Sequence, residues 1–212
     1  MREFLSPAAY IDSDHPAVIA FSGKNAIGET PLERAVSLYY AVRDGIRYNP
    51  FLDFSNDAAF RASQCIASGE GFCVGKAALL AACARADGVP ARVGFADVKN
   101  HLTTPALRER MGSDLFVYHG YTELFLEGKW VKATPAFNVE LCRRFKVRPL
   151  DFDGREDSIF HAFDEEDRRH MEYLRDRGCY ADVPAAEIMQ VFREIYPALY
   201  RPGMAATKES FG

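Results

Sequence analysis

A cysteine follows two glycines in "GEGFC" and opens the stretch "CVGKAALLAACARA". Gly69 and Gly71 permit a sharp entry into a helix there. Cys73, in the first turn, would meet unpaired backbone N–H groups and the positive end of the helix dipole. Both favour the thiolate, which is the nucleophilic form. The same residue also reads as a small buried hydrophobe, as Cys83 does. A thiol nucleophile needs a base that is remote in sequence and near in space. Of the five histidines, His15, His161 and His170 lie in charged or irregular contexts and read as surface residues. His119 sits inside "FVYHGYTELFL", beside a glycine that leaves room for another chain or a ligand. It reads otherwise as an ordinary strand histidine, and His101 in "VKNHL" is the reserve base.

The elements that must position these groups follow from local pattern. "TPLERAVSLYYAVRDGIRYNP" starts with Thr30 as N-cap, Pro31 at the first helical position and Glu33 as capping-box partner. Cys73–Ala86 is so poor in charge that it predicts a helix buried on most sides, stopped at Asp87-Gly88. Ala91–Val98 reads as a strand, and residues 99–113 as a loop with a helical turn at Pro105–Arg110. Two aromatic and β-branched runs flank Glu127-Gly128, a hairpin signal. A two-residue loop pairs Leu126 with Lys129 and Phe125 with Trp130. Continued, it sets Tyr121 opposite Thr134 and His119 opposite Ala136. Paired side chains share a face, so Thr134 lies diagonal to His119 on its side. A three-residue loop would move Thr134 to the other face. Elsewhere the pattern predicts a short strand or turn at Ala17–Phe21, short helices within 56–68 and at Asn138–Phe145, and an acidic turn at Asp151–Asp157. "DEEDRRHMEYLRDRG" reads as a charged surface helix, "VPAAEIMQVFREIYPALY" as an amphipathic one, and the last eight residues as loose.

Composition excludes several classes. With 212 residues and a net charge of −4, no dense basic stripe offers itself to nucleic acid. No run of 18 apolar residues predicts a membrane span, and the N-terminus lacks the features of a signal peptide, so a cytoplasmic location is expected. Five cysteines without a CxxC pair argue against a disulfide framework or a structural zinc site. "DFDGREDSIF" lacks the glutamate a calcium loop needs. Neither a phosphate-binding loop, nor a dinucleotide fingerprint, nor an HExxH motif is present. Trp130 and its aromatic neighbours read as core.

Three blocks stand together: "GFCVGKAALLAACARADGVPAR", "HGYTELFLEGKW" and "VKATPAFN". In content, order and spacing they resemble the transglutaminase-like superfamily of Cys–His–Asp proteins, over about Ile46 to Asn138. The resemblance implies an α+β, papain-like core of about residues 30–140. A Cys-bearing central helix packs on an antiparallel sheet within one domain of residues 1–212, and a helical extension covers about 157–204. It implies Cys73 as nucleophile and His119 as base. The family aspartate falls on Thr134, which can accept the imidazole N–H but brings no charge. Asn138 is the reserve third member, ahead of Glu123 and Asp153, though it also reads as a surface turn residue. For an oxyanion hole, the backbone N–H of Cys73 and the side chain of Gln64 are the candidates; Gln64 reads equally as an exposed helix residue.

The expected activity is cysteine-dependent acyl transfer or hydrolysis at a peptide or protein amide, through a Cys73 thioester, without cofactor or metal. The alternative is a catalytically weak or inactive binding module with the same fold. Arylamine acetyl transfer is a third reading, and no coenzyme A site supports it. Substrate and oligomeric state are not legible.

Overall fold

The computed structural model describes residues 1–54, 56–100, 111–159 and 171–197. Among the described residues six α-helices and six strands follow one another: α1 (Pro16–Asn25), α2 (Pro31–Gly45), β1 (Arg47–Tyr48), α3 (Ala62–Ser68), β2 (Glu70–Gly71), α4 (Cys73–Ala86), β3 (Ala91–Asn100), β4 (Leu115–Leu126), β5 (Lys129–Ala133), α5 (Val139–Phe145), β6 (Met171–Tyr180) and α6 (Ala185–Ile195). Four strands form an antiparallel sheet in the order β5-β4-β3-β6, and β1 and β2 make a two-residue parallel pair. The class is α+β, as the sequence implies.

α4 is the axis of the core. Every residue from Cys73 to Arg85 is buried, because the helix is enclosed by α1, α2 and α3 as well as by β3 and β4. Burial of Val74, Leu79 and Leu80 is worth about 1.5–3 kcal/mol each. Two cations lie in this apolar helix, and backbone oxygens take up their protons. Lys76 Nζ donates to the carbonyls of Arg43 (2.9 Å) and Ile46 (2.6 Å) at the end of α2. Arg85 donates to the carbonyls of Ser6, Ala91 and Ala181, tying both ends of the described chain to α4.

Thr30 and Glu33 form the expected capping box on α2. The hairpin has the expected register, with Glu127 (φ 47°) and Gly128 (φ 85°) as its two turn residues. The continued register does not form. Pairing of β4 with β5 ends at Thr122–Ala133, and the Thr134 N–H turns to the carbonyl of Ser158 (2.9 Å). Tyr121 and Thr134 are therefore not paired, nor are His119 and Ala136.

Two stretches differ from the sequence reading. Residues around Ala17–Phe21 belong to helix α1, not to a strand or turn; the His15 side chain caps it and Pro16 opens it. From Met171 the charged segment is edge strand β6, not a helix. Its charges stay largely in solvent at an edge, where one side of the strand is unpaired, so period-3.6 charge spacing carries little weight. Past residue 157 the described chain thus contributes a strand and one helix. His101, His161, His170, the proposed turn at Pro105–Arg110 and the last eight residues lie outside the described residues. Among the described residues no helix is long and apolar enough to cross a membrane.

Candidate active site

Cys73 is the first residue of α4, with Phe72 at the cap position. The β1–β2 pair delivers the chain to this point. Gly71 is needed there, because a Cβ on it would come within 2.9 Å of the Cys65 sulfur. Cys73 is 8% exposed. Its surroundings pull its proton affinity in two directions. Burial pushes the thiol up to about 11; the backbone N–H groups of Gly120, Val74 and Cys73 itself act on the sulfur and pull it down. Burial is the larger influence, so the thiol is held above its ordinary value.

His119 lies on β4, opposite Ala96 of β3, and is 3% exposed. Its neighbour Gly120 rests directly on the start of α4. A Cβ at Gly120 would stand 2.9 Å from the Val74 Cα and 3.3 Å from the Cys73 carbonyl oxygen. The absence of a side chain at residue 120 is what lets the strand backbone meet the sulfur-bearing turn. Because β5 leaves β4 at Ala133, the edge of β4 beyond Thr122 is open to other partners. The Cys73 sulfur meets the Gly120 N–H at this edge. Farther along, the Tyr196 hydroxyl accepts from the Val117 N–H (2.7 Å) and donates to the Leu115 carbonyl (2.7 Å).

Cys73 and His119 line one small apolar cavity, roofed by Phe54, Phe72, Phe192 and Tyr196. The ring contacts Phe54–Phe72 and Phe54–Phe192, at 4.9 and 5.6 Å between centroids, tie α6 to this roof. The sequence brings the two groups to the same place from 46 residues apart.

The other candidates are placed as follows. Thr134 is buried, and its hydroxyl donates to the carbonyl of Ile159 (2.8 Å). With the hydroxyl proton used there, only its lone pairs can serve an imidazole N–H. Asn138 precedes α5 and accepts from the Tyr48 N–H (3.4 Å), bracing the β1 segment. Gln64 lies on the exposed side of α3 and does not line the cavity, while its neighbour Cys65 turns into the core. The amide donors that the structure does bring to the sulfur are on the backbone. Glu123 is engaged by Arg92 at 2.5 Å, and Asp153 accepts from the N–H groups of Arg155 and Glu156 in a solvated turn. Among the described residues no group of His, Cys, Asp and Glu is arranged to hold a metal ion. All five cysteines are free.

Three features were not read from the sequence. Tyr196 reaches the open strand edge from beyond α6. Lys76 is wholly buried one turn after Cys73. Asp97 of β3 lies beside β4, paired with Arg177 of β6 at 2.8 Å. For Asp97 a signal existed: a lone carboxylate in the apolar run "RVGFADV" needs a partner.

A solved structure from Cytophaga hutchinsonii, described as a candidate cysteine protease, is similar over 84% of this chain and 53% of its own, at 18% identity and a TM-score of 0.48. The chain thus spans about half the length of that protein. The comparison with curated proteins gives no match. The sequence profile of the transglutaminase-like superfamily matches residues 22–135, from within α1 to just past β5, a span that contains Cys73, His119 and Thr134. The chain therefore belongs to the transglutaminase-like superfamily.

Proposed function

We propose that the protein is a cysteine-dependent hydrolase or acyltransferase acting on a peptide or protein amide. The observation that carries this reading is the shared cavity: a thiol at a helix start and an imidazole on a strand line one small apolar cavity, with backbone N–H groups on the sulfur. His119 takes the thiol proton as the sulfur attacks the amide carbonyl carbon. The C–N bond breaks, the amine leaves with that proton, and the acyl group stays on Cys73 as a thioester. Water completes hydrolysis; an amine in its place completes transfer. Either one attacks the thioester and returns the thiol. Thr134 accepts the second imidazole N–H and holds the ring. The backbone N–H of Cys73 serves the developing oxyanion, a stabilisation typically worth about 3–4 kcal/mol per donor. The aromatic lining suits an apolar group beside the scissile bond.

A binding module that has kept the fold and lost turnover is the second reading. The neutral Thr134 and the burial that raises the Cys73 thiol favour it. Iodoacetamide labelling followed by peptide mass spectrometry separates the two. Cys179 is the cysteine with partial exposure and sets the reference rate. The enzyme reading expects Cys73 to label faster than Cys179 at pH 7, and His119→Gln to slow it about a hundredfold or more, the usual worth of a general base. Labelling of Cys73 no faster than Cys179, indifferent to His119→Gln, establishes the module.

A further inference from the structure

A paired carboxylate and guanidinium lie on the strands beside the one that carries His119, and neither belongs to the machinery described above. β4 is irregular at this level: Ala96 pairs with His119 but Val98 pairs with Phe116, so Val117 and Tyr118 together oppose the single residue Asp97. Tyr118 takes φ 54°, a left-handed conformation that is costly for a residue with a Cβ. The bulge is clamped from three sides. Asp97 Oδ1 accepts the Tyr118 N–H (3.1 Å). The same carboxylate accepts from two nitrogens of Arg177 at 2.8 to 3.0 Å. The Arg177 guanidinium lies over the Tyr118 ring at 4.5 Å, and the Tyr118 hydroxyl donates to Glu187 of α6. Arg177 is itself an extra residue: Phe95 pairs with Gly178 and Ala96 with Asp176, so β6 is irregular at the same level.

The bulge decides what β4 presents to the site. In a regular antiparallel strand, N–H groups facing one edge recur at every second residue. Here Val117 and Gly120, three positions apart, both turn their N–H to the open edge, the first to Tyr196 and the second to the Cys73 sulfur. The Tyr118 N–H, between them, is turned to Asp97 instead. A strand that lost the bulge would slip by one residue, and a one-residue slip moves a side chain to the other face. Residues 119–124 are held in register by β3 and the hairpin, so the slip would fall at the peptide that leads into His119 and turn the imidazole from the cavity it shares with Cys73.

From this arrangement we infer that Asp97 and Arg177 are positioning residues for His119: they hold the Tyr118 bulge that keeps the imidazole beside Cys73. The inference rests on the thiol–imidazole reading above. Its test is a double-mutant cycle on the full chain, read as the rate of Cys73 labelling by iodoacetamide at pH 7, with circular dichroism and thermal melting to confirm folding. Asp97→Asn should slow labelling about tenfold in the wild-type background and less than about twofold in the His119→Gln background, since residues acting through one another are not additive. Arg177→Gln keeps the carboxylate, disturbs the fold less, and should show the same dependence with a smaller factor. It decides the matter if Asp97→Asn does not fold. An equal factor in both backgrounds, or no effect of a folded variant, overturns the inference. Should His119→Gln alone leave labelling unchanged, the base role of His119 fails first, independently of Asp97.

Discussion

The resemblance sets Thr134 where the superfamily carries an aspartate, and the difference is chemical before it is structural. An aspartate would accept the imidazole N–H and also favour the imidazolium charge; a hydroxyl accepts and no more. The carbonyl of Ile159 already takes the hydroxyl proton, so the acceptor lone pairs are what Thr134 has left to offer. Thr134→Asp should therefore raise the Cys73 labelling rate at pH 7 by about tenfold, the effect of placing a negative charge near the base. It should also lower stability by about 1–3 kcal/mol, because the Ile159 carbonyl loses its donor. Both are measurable on one preparation, by mass spectrometry and urea unfolding. A folded variant with an unchanged or slower rate removes Thr134 as the group that orients His119. Cys73 and His119, which line one cavity, stand at positions readable from residue type and spacing; the role of Thr134 comes from the resemblance alone. Of the two readings of Gln64, its exposure matches the helix-surface one, because which side of a seven-residue helix faces solvent is decided by what packs on the other side.

At the scale of elements, the meeting of β4 with the start of α4 is the contact the site depends on. Gly120 makes it possible, since the atoms a Cβ would strike belong to the Val74 and Cys73 backbone and cannot swing aside. Gly120→Ala should cost about 1–3 kcal/mol, as overpacking at a rigid contact does. It should slow Cys73 labelling as well, by lifting the strand from the sulfur. Wild-type stability in urea would show that the contact is looser than the geometry requires. The helix of Cys73 and the hairpin of Glu127-Gly128 were evident from composition and turn chemistry. The point where β5 leaves β4 was not, because a bridge from Ala133 to Ser158, 25 residues on, draws the strand away. β6 was misread for a related reason. An edge strand with charged side chains in water carries no apolar alternation to distinguish it from a surface helix.

For the molecule as a whole, α4 is closed in from every side and the chain ends hold that closure. Asp182 accepts the N–H groups of Ala9 and Ile11 at 2.9 and 3.0 Å, and Arg85 joins Ser6 to Ala181. One consequence is measurable as pH dependence. Burial lowers the Lys76 ammonium to about 7, with nearby Cys65 and Asp44 opposing it. Below pH 7 both folded and unfolded chains hold the proton, and the cost of burying the charge is constant. Between about 7 and the unfolded value near 10.5, only the unfolded chain keeps it, so this group makes stability rise with pH. Lys76→Met removes that dependence. The difference in unfolding free energy between wild type and variant should change with pH by up to about 1.4 kcal/mol per unit across that window, in the wild type's favour as pH rises. A pH-independent difference would mean that Lys76 stays charged on its two carbonyls.

What the sequence by itself determined is local: a buried helix beginning at Cys73, a hairpin with its turn at Glu127-Gly128, a capped helix at Thr30, and a cysteine, a histidine and a threonine at superfamily spacing. Helix burial, turn type and capping depend on neighbours within a few residues, and those are written in order along the chain. Only the tertiary structure decided that β5 stops at Ala133, that Tyr196 and the Cys73 sulfur share the strand edge this leaves open, and that Asp97, Tyr118 and Arg177 interlock next to His119. Each of these rests on partners from separate strands or helices, and a backbone turned into the left-handed region at a tyrosine is stable only because those partners hold it there.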